Sequence, residues 1–207
     1  MRNFYPIMLR LEGKRVVVVG GGKAAERKVS SLLDSGAEIL VIAPEATAEI
    51  ERLASEGELV WQQRPFLKTD LKGAFLVFAA TNDRQLNQFV KDSAAADQLV
   101  MLADAPDSSD FHLPSTLKRG RLNIAVSTGG ASPLLAKEIR RQLEGQFADT
   151  YEEYLEFLYE KRQWILNEVA DPVLKRKLLT AIVSPEFLTS SHREADFQRL
   201  YKELEQR

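Results

Sequence analysis

The chain has 207 residues, and at a soft prior of about 150 residues per domain this length holds one domain with an appendage or two small domains, each large enough for a real core. Hydrophobic residues make up 44% and charged residues 28%, which excludes disorder, collagen and extended coiled coils; 28 Lys plus Arg against 30 Asp plus Glu leave a formal charge of -2, too balanced to attract nucleic acid or anionic membrane through the whole-molecule field. Cysteine is absent, which removes disulfides, thiolate metal sites, iron–sulfur clusters and a thiol nucleophile.

Met1 to Gly13 carries Arg2, Arg10 and Glu12 among short apolar patches, unlike a signal peptide. No stretch approaches the ~20 apolar residues that span a bilayer, so the expected location is the cytoplasm. The first hundred residues then alternate β-branched runs with helical patterns, the signature of a parallel sheet with crossover helices. Arg15 to Gly20 (RVVVVG) is a continuous apolar run ending in glycine, as a central strand buried on both faces requires. From Lys23 to Ser35, Ala25, Val29, Leu32 and Leu33 recur at helical spacing, and Gly36 follows as a stop. Glu38 to Ala43 reads as a second strand, closed by Pro44. A helix over about Ala46 to Ser55, a strand around Leu59 to Gln63 and a strand at Phe75 to Ala80 continue the alternation. Thr81-Asn82-Asp83 caps a helix running to about Ala95, and Leu99 to Ala103 is the next strand. This half is a doubly wound α/β sheet.

After Ala103 the pattern changes. Residues 105–110 form a turn-rich loop, and strands at Phe111 to Leu117 and Leu122 to Ser127 flank a basic tip, Lys118-Arg119-Gly120-Arg121, in a hairpin. Ser132-Pro133 opens a helix through Glu144. Tyr151, Tyr154, Leu155, Leu158 and Ile165 line a long helix, and amphipathic segments near Val173 to Ile182 and Ala195 to Gln206 complete an all-α C-terminal part. The expected divisions are 1–110, 111–146 and 147–207.

The strongest local motif is Gly20-Gly21-Gly22-Lys23-Ala24-Ala25, which satisfies G-x-G-x-x-A between the first strand and the first helix. Gly20 permits the tight turn, Gly22 lets a pyrophosphate approach the backbone, and Ala25 lets the helix pack close to the sheet, so a dinucleotide is expected here. The acid that normally ends the second strand is missing; Ala43-Pro44-Glu45 puts Glu45 two residues late, and no arginine stands there for a 2′-phosphate, which favours NAD over NADP. Thr81 and Asn82, after the small residues Ala79 and Ala80, either leave room for the nucleotide or cap the next helix with Asp83. Asp104, directly after the fifth strand, stands where a general base belongs, with Asp107 and Asp110 as competitors.

Between Phe111 and Gly145 six basic residues (Lys118, Arg119, Arg121, Lys137, Arg140, Arg141) face two acids (Glu138, Glu144), a place for an anionic ligand or a solvated face. Ser127-Thr128-Gly129 leads toward a helix N-terminus as a carboxylate cradle. No metal site is expected, since His112 and His192 stand far apart with no carboxylate cluster at ligand spacing, and Trp61 and Trp164 read as packing residues.

Several of these pieces in order carry a resemblance: Tyr5-Pro6 and Leu11 leading into VVVVGGGKAAERK, then VIAPE, FLVFAATND, the Asp104 loop, FHLPS, and RGRLNIAVSTGGASPLLAKEIRRQLE. Over about Phe4 to Glu144 the sequence resembles the precorrin-2 dehydrogenase family of sirohaem biosynthesis, whose members are single-function bacterial enzymes or the N-terminal half of sirohaem synthases. The resemblance implies a Rossmann domain, a middle segment through which two chains form a homodimer, a small helical C-terminal domain, and NAD-dependent oxidation of precorrin-2 to sirohydrochlorin. It also implies that Asp104 is the general base. The expected cofactor contacts are Gly20, Gly21, Gly22, Lys23, Ala24, Ala25, Pro44, Glu45, Thr81 and Asn82; the expected contacts to the polycarboxylate substrate are His112, Arg119, Arg121, Ser127, Thr128 and Gly129. Alternatives are a bifunctional dehydrogenase and ferrochelatase, a non-catalytic NAD-sensing module, and a dehydrogenase of another small acid, for which His112 is the only candidate acid–base residue.

Overall fold

The computed structural model describes residues 4–206, and their contacts divide the chain into two units, Met1–Leu113 and Pro114–Arg207. The first is built on β1 (Arg15–Val19), β2 (Glu38–Ile42), β3 (Val60–Gln62), β4 (Leu76–Ala79) and β5 (Leu99–Leu102), all parallel, in the order β3-β2-β1-β4-β5. The valine run takes the middle position because helices cover both faces of the sheet. Val16 and Val18 pack with Ala25, Val29 and Leu32 of α1 (Lys23–Leu32) and with Ile50 and Leu53 of α2 (Ala48–Ser55). Val17 and Val19 face the other way, into the cluster that holds Val90 of α3 (Arg84–Ser93).

Local chemistry starts and stops these elements. The Asp83 carboxylate accepts from the N–H groups of Gln85 (2.8 Å) and Leu86 (3.1 Å), satisfying donors that the first turn of α3 leaves without partners. The Trp61 indole donates to the Ala43 carbonyl at 3.0 Å and so ties β3 to the end of β2.

Two expectations about the hairpin are corrected. The strand expected over Phe111 to Leu117 begins only at Ser115, as β6 (Ser115–Arg119). Upstream, the Asp110 N–H is committed to the Val100 carbonyl at 2.9 Å, the Phe111 ring packs edge-on against Phe78 at 5.5 Å, and Pro114 has no N–H for a ladder. The expected four-residue tip is also shorter. Strand β7 (Leu122–Val126) pairs Leu122 with Arg119, so Lys118 and Arg119 belong to β6 and only Gly120-Arg121 turn the chain.

The second unit adds α4 (Pro133–Gln146), α5 (Thr150–Glu168), α6 (Pro172–Ala181), α7 (Pro185–Thr189) and α8 (Arg193–Glu205). Its helical core gathers Tyr154, Ile165, Leu178, Ile182, Phe187 and Phe197; Trp164 meets Phe197 and Tyr201 edge-on, and the Tyr154 hydroxyl donates to the Ile182 carbonyl at 2.9 Å. Both tryptophans therefore pack as expected. The short α7 was not expected, although Ser184-Pro185 repeats the N-cap-plus-proline pattern of Ser132-Pro133, and the Ser184 hydroxyl caps Phe187. Among the described residues no helix is long and apolar enough to cross a membrane.

In the first unit a half-buried charge pair ties the loop after β3 to the 3-10 turn over Lys68–Leu71. Asp70 accepts from Arg64 through both oxygens (2.6 and 2.9 Å) and from the Leu67 N–H at 2.8 Å. Hydrogen bonding from Arg64 holds its carboxyl below the ordinary value against the opposing effect of burial. A lowered folded-state pKa gives stability that is present above the ordinary carboxylate range and is lost as pH falls through the lower folded value. Asp70→Asn is expected to cost about 2 kcal/mol at pH 7, less than a fully enclosed pair because the Arg64 side chain is 36% exposed. Urea unfolding at stepped pH should show this gap between wild type and variant closing on acidification; a gap constant with pH would refute the assignment.

Candidate functional site

Because β1 lies between β2 and β4, the connections from β1 and from its neighbour β4 diverge at the carboxyl edge of the sheet and open a crevice there. Three consecutive glycines build its floor, each for a different reason. Gly20 has φ +120°, and a Cβ at this position would lie 2.5 Å from the Ala80 carbonyl oxygen. At Gly21 a Cβ would meet the Glu45 carbonyl oxygen at 2.1 Å, and the Gly21 carbonyl accepts from the Thr47 N–H at 2.9 Å. Gly22 is the N-cap of α1 with no side-chain cap, and a Cβ there would meet nothing within 4 Å. The first-turn N–H groups of α1 thus stand uncapped beside open space, the arrangement that receives a phosphate. The space itself fits such a ligand.

The crevice has a volume of about 690 Å³, within the usual range of ligand clefts. It brings together Gly20, Gly21, Gly22, Lys23, Ala24, Pro44, Glu45, Thr81 and Asn82. Ala25 is not in its lining; fully buried, it holds α1 close to the sheet. Pro65 and Phe66 line the far wall, and nothing in the local sequence marked them, since they arrive from the loop after β3. Lys23 pairs with Glu26 at 2.9 Å. Hydrogen bonds from Thr47 and then Lys23 keep the Glu26 carboxyl below its ordinary value, so the first turn of α1 carries a compensated charge.

Asp104 lines a separate, neighbouring pocket of about 470 Å³ together with Arg84, Gln85, Asn87, Gln88, Leu102, Ala105 and Ser108. Its link to the crevice is Asn87, whose amide donates to Asp104 Oδ1 at 2.8 Å and holds Thr81 on its other side. Sequence reasoning missed Asn87: in an amphipathic helix an asparagine reads as a surface residue, whereas this one is 1% exposed. The competing acids differ. Asp110 is structural, accepting from the Val100 N–H at 2.8 Å and pairing with Lys91, while Asp107 sits in a 3-10 turn over Pro106–Ser108. His112 Nε2 contacts the Pro106 carbonyl at 3.0 Å, and its ring meets that of Phe4 at a 39° tilt with the centroids 4.2 Å apart.

In the second unit most of the basic excess already has partners. Arg119 pairs with Asp149 at 2.9 Å and Arg121 with Glu156 at 2.7 Å, the latter guanidinium lying 3.6 Å over the Tyr159 ring. Arg140 pairs with Glu144 and Arg141 with Glu138, whereas Lys137 makes no ion pair among the described residues. Ser127 accepts from the Gly129 N–H at 3.2 Å, and Thr128 both donates to and accepts from the Ser132 backbone at 3.0 Å. The loop before α4 is therefore closed on itself.

The chain matches three family models in succession: "Putative NAD(P)-binding" over residues 7–115, "Sirohaem biosynthesis protein central" over 119–146 and "SirC C-terminal domain" over 151–197. It is 38% identical to a precorrin-2 dehydrogenase of Priestia megaterium over 93% of this chain and 96% of that one. A siroheme synthase of Nitrosococcus oceani is 36% identical over 94% of this chain, which spans only 42% of the synthase. A solved structure titled "SirC, precorrin-2 dehydrogenase" superposes with a TM-score of 0.84 at 36% identity, covering 97% of this chain and all of the other.

The glycine geometry separates folding from ligand binding. Gly21→Ala should lower the thermal midpoint, because the added methyl meets the Glu45 carbonyl and a backbone cannot yield as a side chain can. Gly22→Ala should leave the midpoint unchanged yet weaken dinucleotide binding by roughly tenfold or more, since the methyl fills the space a phosphate needs. Thermal scans with and without NAD distinguish the two variants.

Proposed function

The chain belongs to the precorrin-2 dehydrogenase family, and from that premise we propose that it oxidises precorrin-2 to sirohydrochlorin with NAD as its cofactor. The observation that carries this reading is kinship along nearly the whole chain: the match to the relative from Priestia megaterium covers 93% of this chain and 96% of that one. The preference for NAD over NADP rests on the crevice edge at Pro44 and Glu45, where the lining holds no arginine to receive a 2′-phosphate.

The nucleotide is held by the backbone of Gly20 to Ala24, by Pro44 and Glu45, and by Thr81 and Asn82. When bound, its nicotinamide ring supplies the acceptor for a hydride from the macrocycle. Loss of that hydride and one proton makes the two-electron oxidation balance. The proton goes to the Asp104 carboxylate, whose Oδ1 is occupied by Asn87 and whose Oδ2 has no side-chain partner among the described residues.

For the carboxylates of the substrate, the candidate contacts are those the family resemblance implies: His112, Arg119, Arg121, Ser127, Thr128 and Gly129. The Arg121–Glu156 pair is exposed on both sides, and exposed ion pairs contribute only about 0–1 kcal/mol, so exchange of Glu156 for a substrate carboxylate is cheap; Arg119, 24% exposed, meets Asp149 through a buried Nε. Two chains associate through the segment 111–146 that separates the cofactor domain, 1–110, from the helical domain, 147–207. On α4, Leu134 and Leu135 are 78% and 51% exposed, apolar surface suited to burial in such a homodimer. The enzyme works in the cytoplasm with its diffusible cofactor.

Asp104→Asn is the direct test. Anaerobic precorrin-2 and NAD, with sirohydrochlorin absorbance and NADH followed together, should show a kcat about 100-fold or more below wild type, with NAD affinity near the wild-type value. Full turnover in this variant would remove Asp104 from the chemistry. Failure of the wild-type protein to form both products would overturn the reaction itself.

A further inference from the structure

Asn87 uses all of its side-chain hydrogen-bonding capacity. Its Oδ1 accepts from the Thr81 N–H (3.1 Å) and the Thr81 hydroxyl (2.7 Å); its Nδ2 donates to the Thr81 carbonyl (3.1 Å) and to Asp104 Oδ1 (2.8 Å). The amide cannot be turned around. A backbone N–H only donates, so the oxygen must face Thr81 N, and the nitrogen is thereby directed at the carboxylate. The donor reaches Asp104 from a buried helix position, and burial makes each of these bonds costly to leave unmade. Thr81 lines the nucleotide crevice and Asp104 lines the neighbouring pocket, so this one side chain joins the wall of one to the acid of the other.

We propose that Asn87 is a positioning residue for the dehydrogenation: it pins Asp104 Oδ1 to the Thr81 wall and so leaves Oδ2 as the oxygen aimed at the substrate proton. The inference rests on Asp104 being the proton acceptor. Without the pin, the exposed carboxylate is free to rotate, and a misplacement of about 1 Å is enough to cost on the order of 100-fold in rate.

Asn87→Asp keeps the shape and the acceptor facing the Thr81 N–H, removes the amide donor to both Asp104 and the Thr81 carbonyl, and sets a second carboxylate against Asp104, so Asn87→Ser, which adds no charge, is measured beside it. With the full-length protein, NAD and precorrin-2, kcat should fall by about 10- to 100-fold while KM for both ligands stays near wild type. The decisive measurement is the double-mutant cycle with Asp104→Asn, whose residual rate is followed with enzyme in excess over substrate. In that background Asn87→Asp should cost nothing further, because the group it positions is gone. Equal losses in both backgrounds, or an unchanged kcat in the single variant, would overturn the proposal. Asn87→Ser is put through the same cycle with the same two deciding outcomes, and decides alone if Asn87→Asp does not fold, by circular dichroism and NAD binding. The failure of the underlying reading looks different: Asp104→Asn itself would then turn over at the wild-type rate.

Discussion

The carboxyl ends of β1, β2 and β4 converge until no methyl group fits between them. The backbone of Gly20 passes the Ala80 carbonyl and that of Gly21 passes the Glu45 carbonyl at distances that any side chain would violate. This closeness lets the Gly21 carbonyl accept from Thr47, and it brings the start of α1 to the sheet edge with its first N–H groups uncapped. The crevice is therefore a consequence of backbone packing. Of the three glycines in the turn, only Gly22 has open space around it and is left for a ligand to explain.

A second constraint is polar and runs beneath the first. Thr81 leaves the end of β4, Asp104 leaves the end of β5, and the two strand ends are clasped by an asparagine from the helix that connects them. Polar groups at the carboxyl edge of a parallel sheet lose their ladder partners when the strands end, so each must find another. Asn87 answers this for Thr81, while along β5, an edge strand with no neighbour on its outer side, the Asp110 carboxylate and the Ser109 hydroxyl accept from the N–H groups of Val100 and Leu102. Of Asp104, Asp107 and Asp110, Asp104 is the one that lines a pocket, with Oδ2 left without a side-chain partner among the described residues.

The second unit shows how charge counting overstates a binding surface. Arg119 and Arg121 lie on the β6–β7 hairpin, and both reach acids at the start of or within α5. The ion pairs join elements already held by packing, and the exposure of the Arg121–Glu156 pair makes it exchangeable rather than strongly stabilising. The helical core beyond them depends on aromatic edges instead, with Phe197 enclosed by Phe157 and Trp164.

The alternation of strands and helices, the central place of the valine run and the glycine turn were all legible in the sequence, because periodicity, capping and turn chemistry act over a few residues. The nucleotide crevice followed from these, and its lining contains nearly every residue the motif and the strand ends pointed to. What the tertiary structure alone decided is pairing across distance: that Gly21 is needed for Glu45, that Phe66 closes the crevice, that the arginines of the hairpin have acids on α5, and that Asn87 binds an aspartate 17 residues further on. A side chain's partner is set by which segments the packed sheet and helices bring together, and no local pattern encodes that proximity.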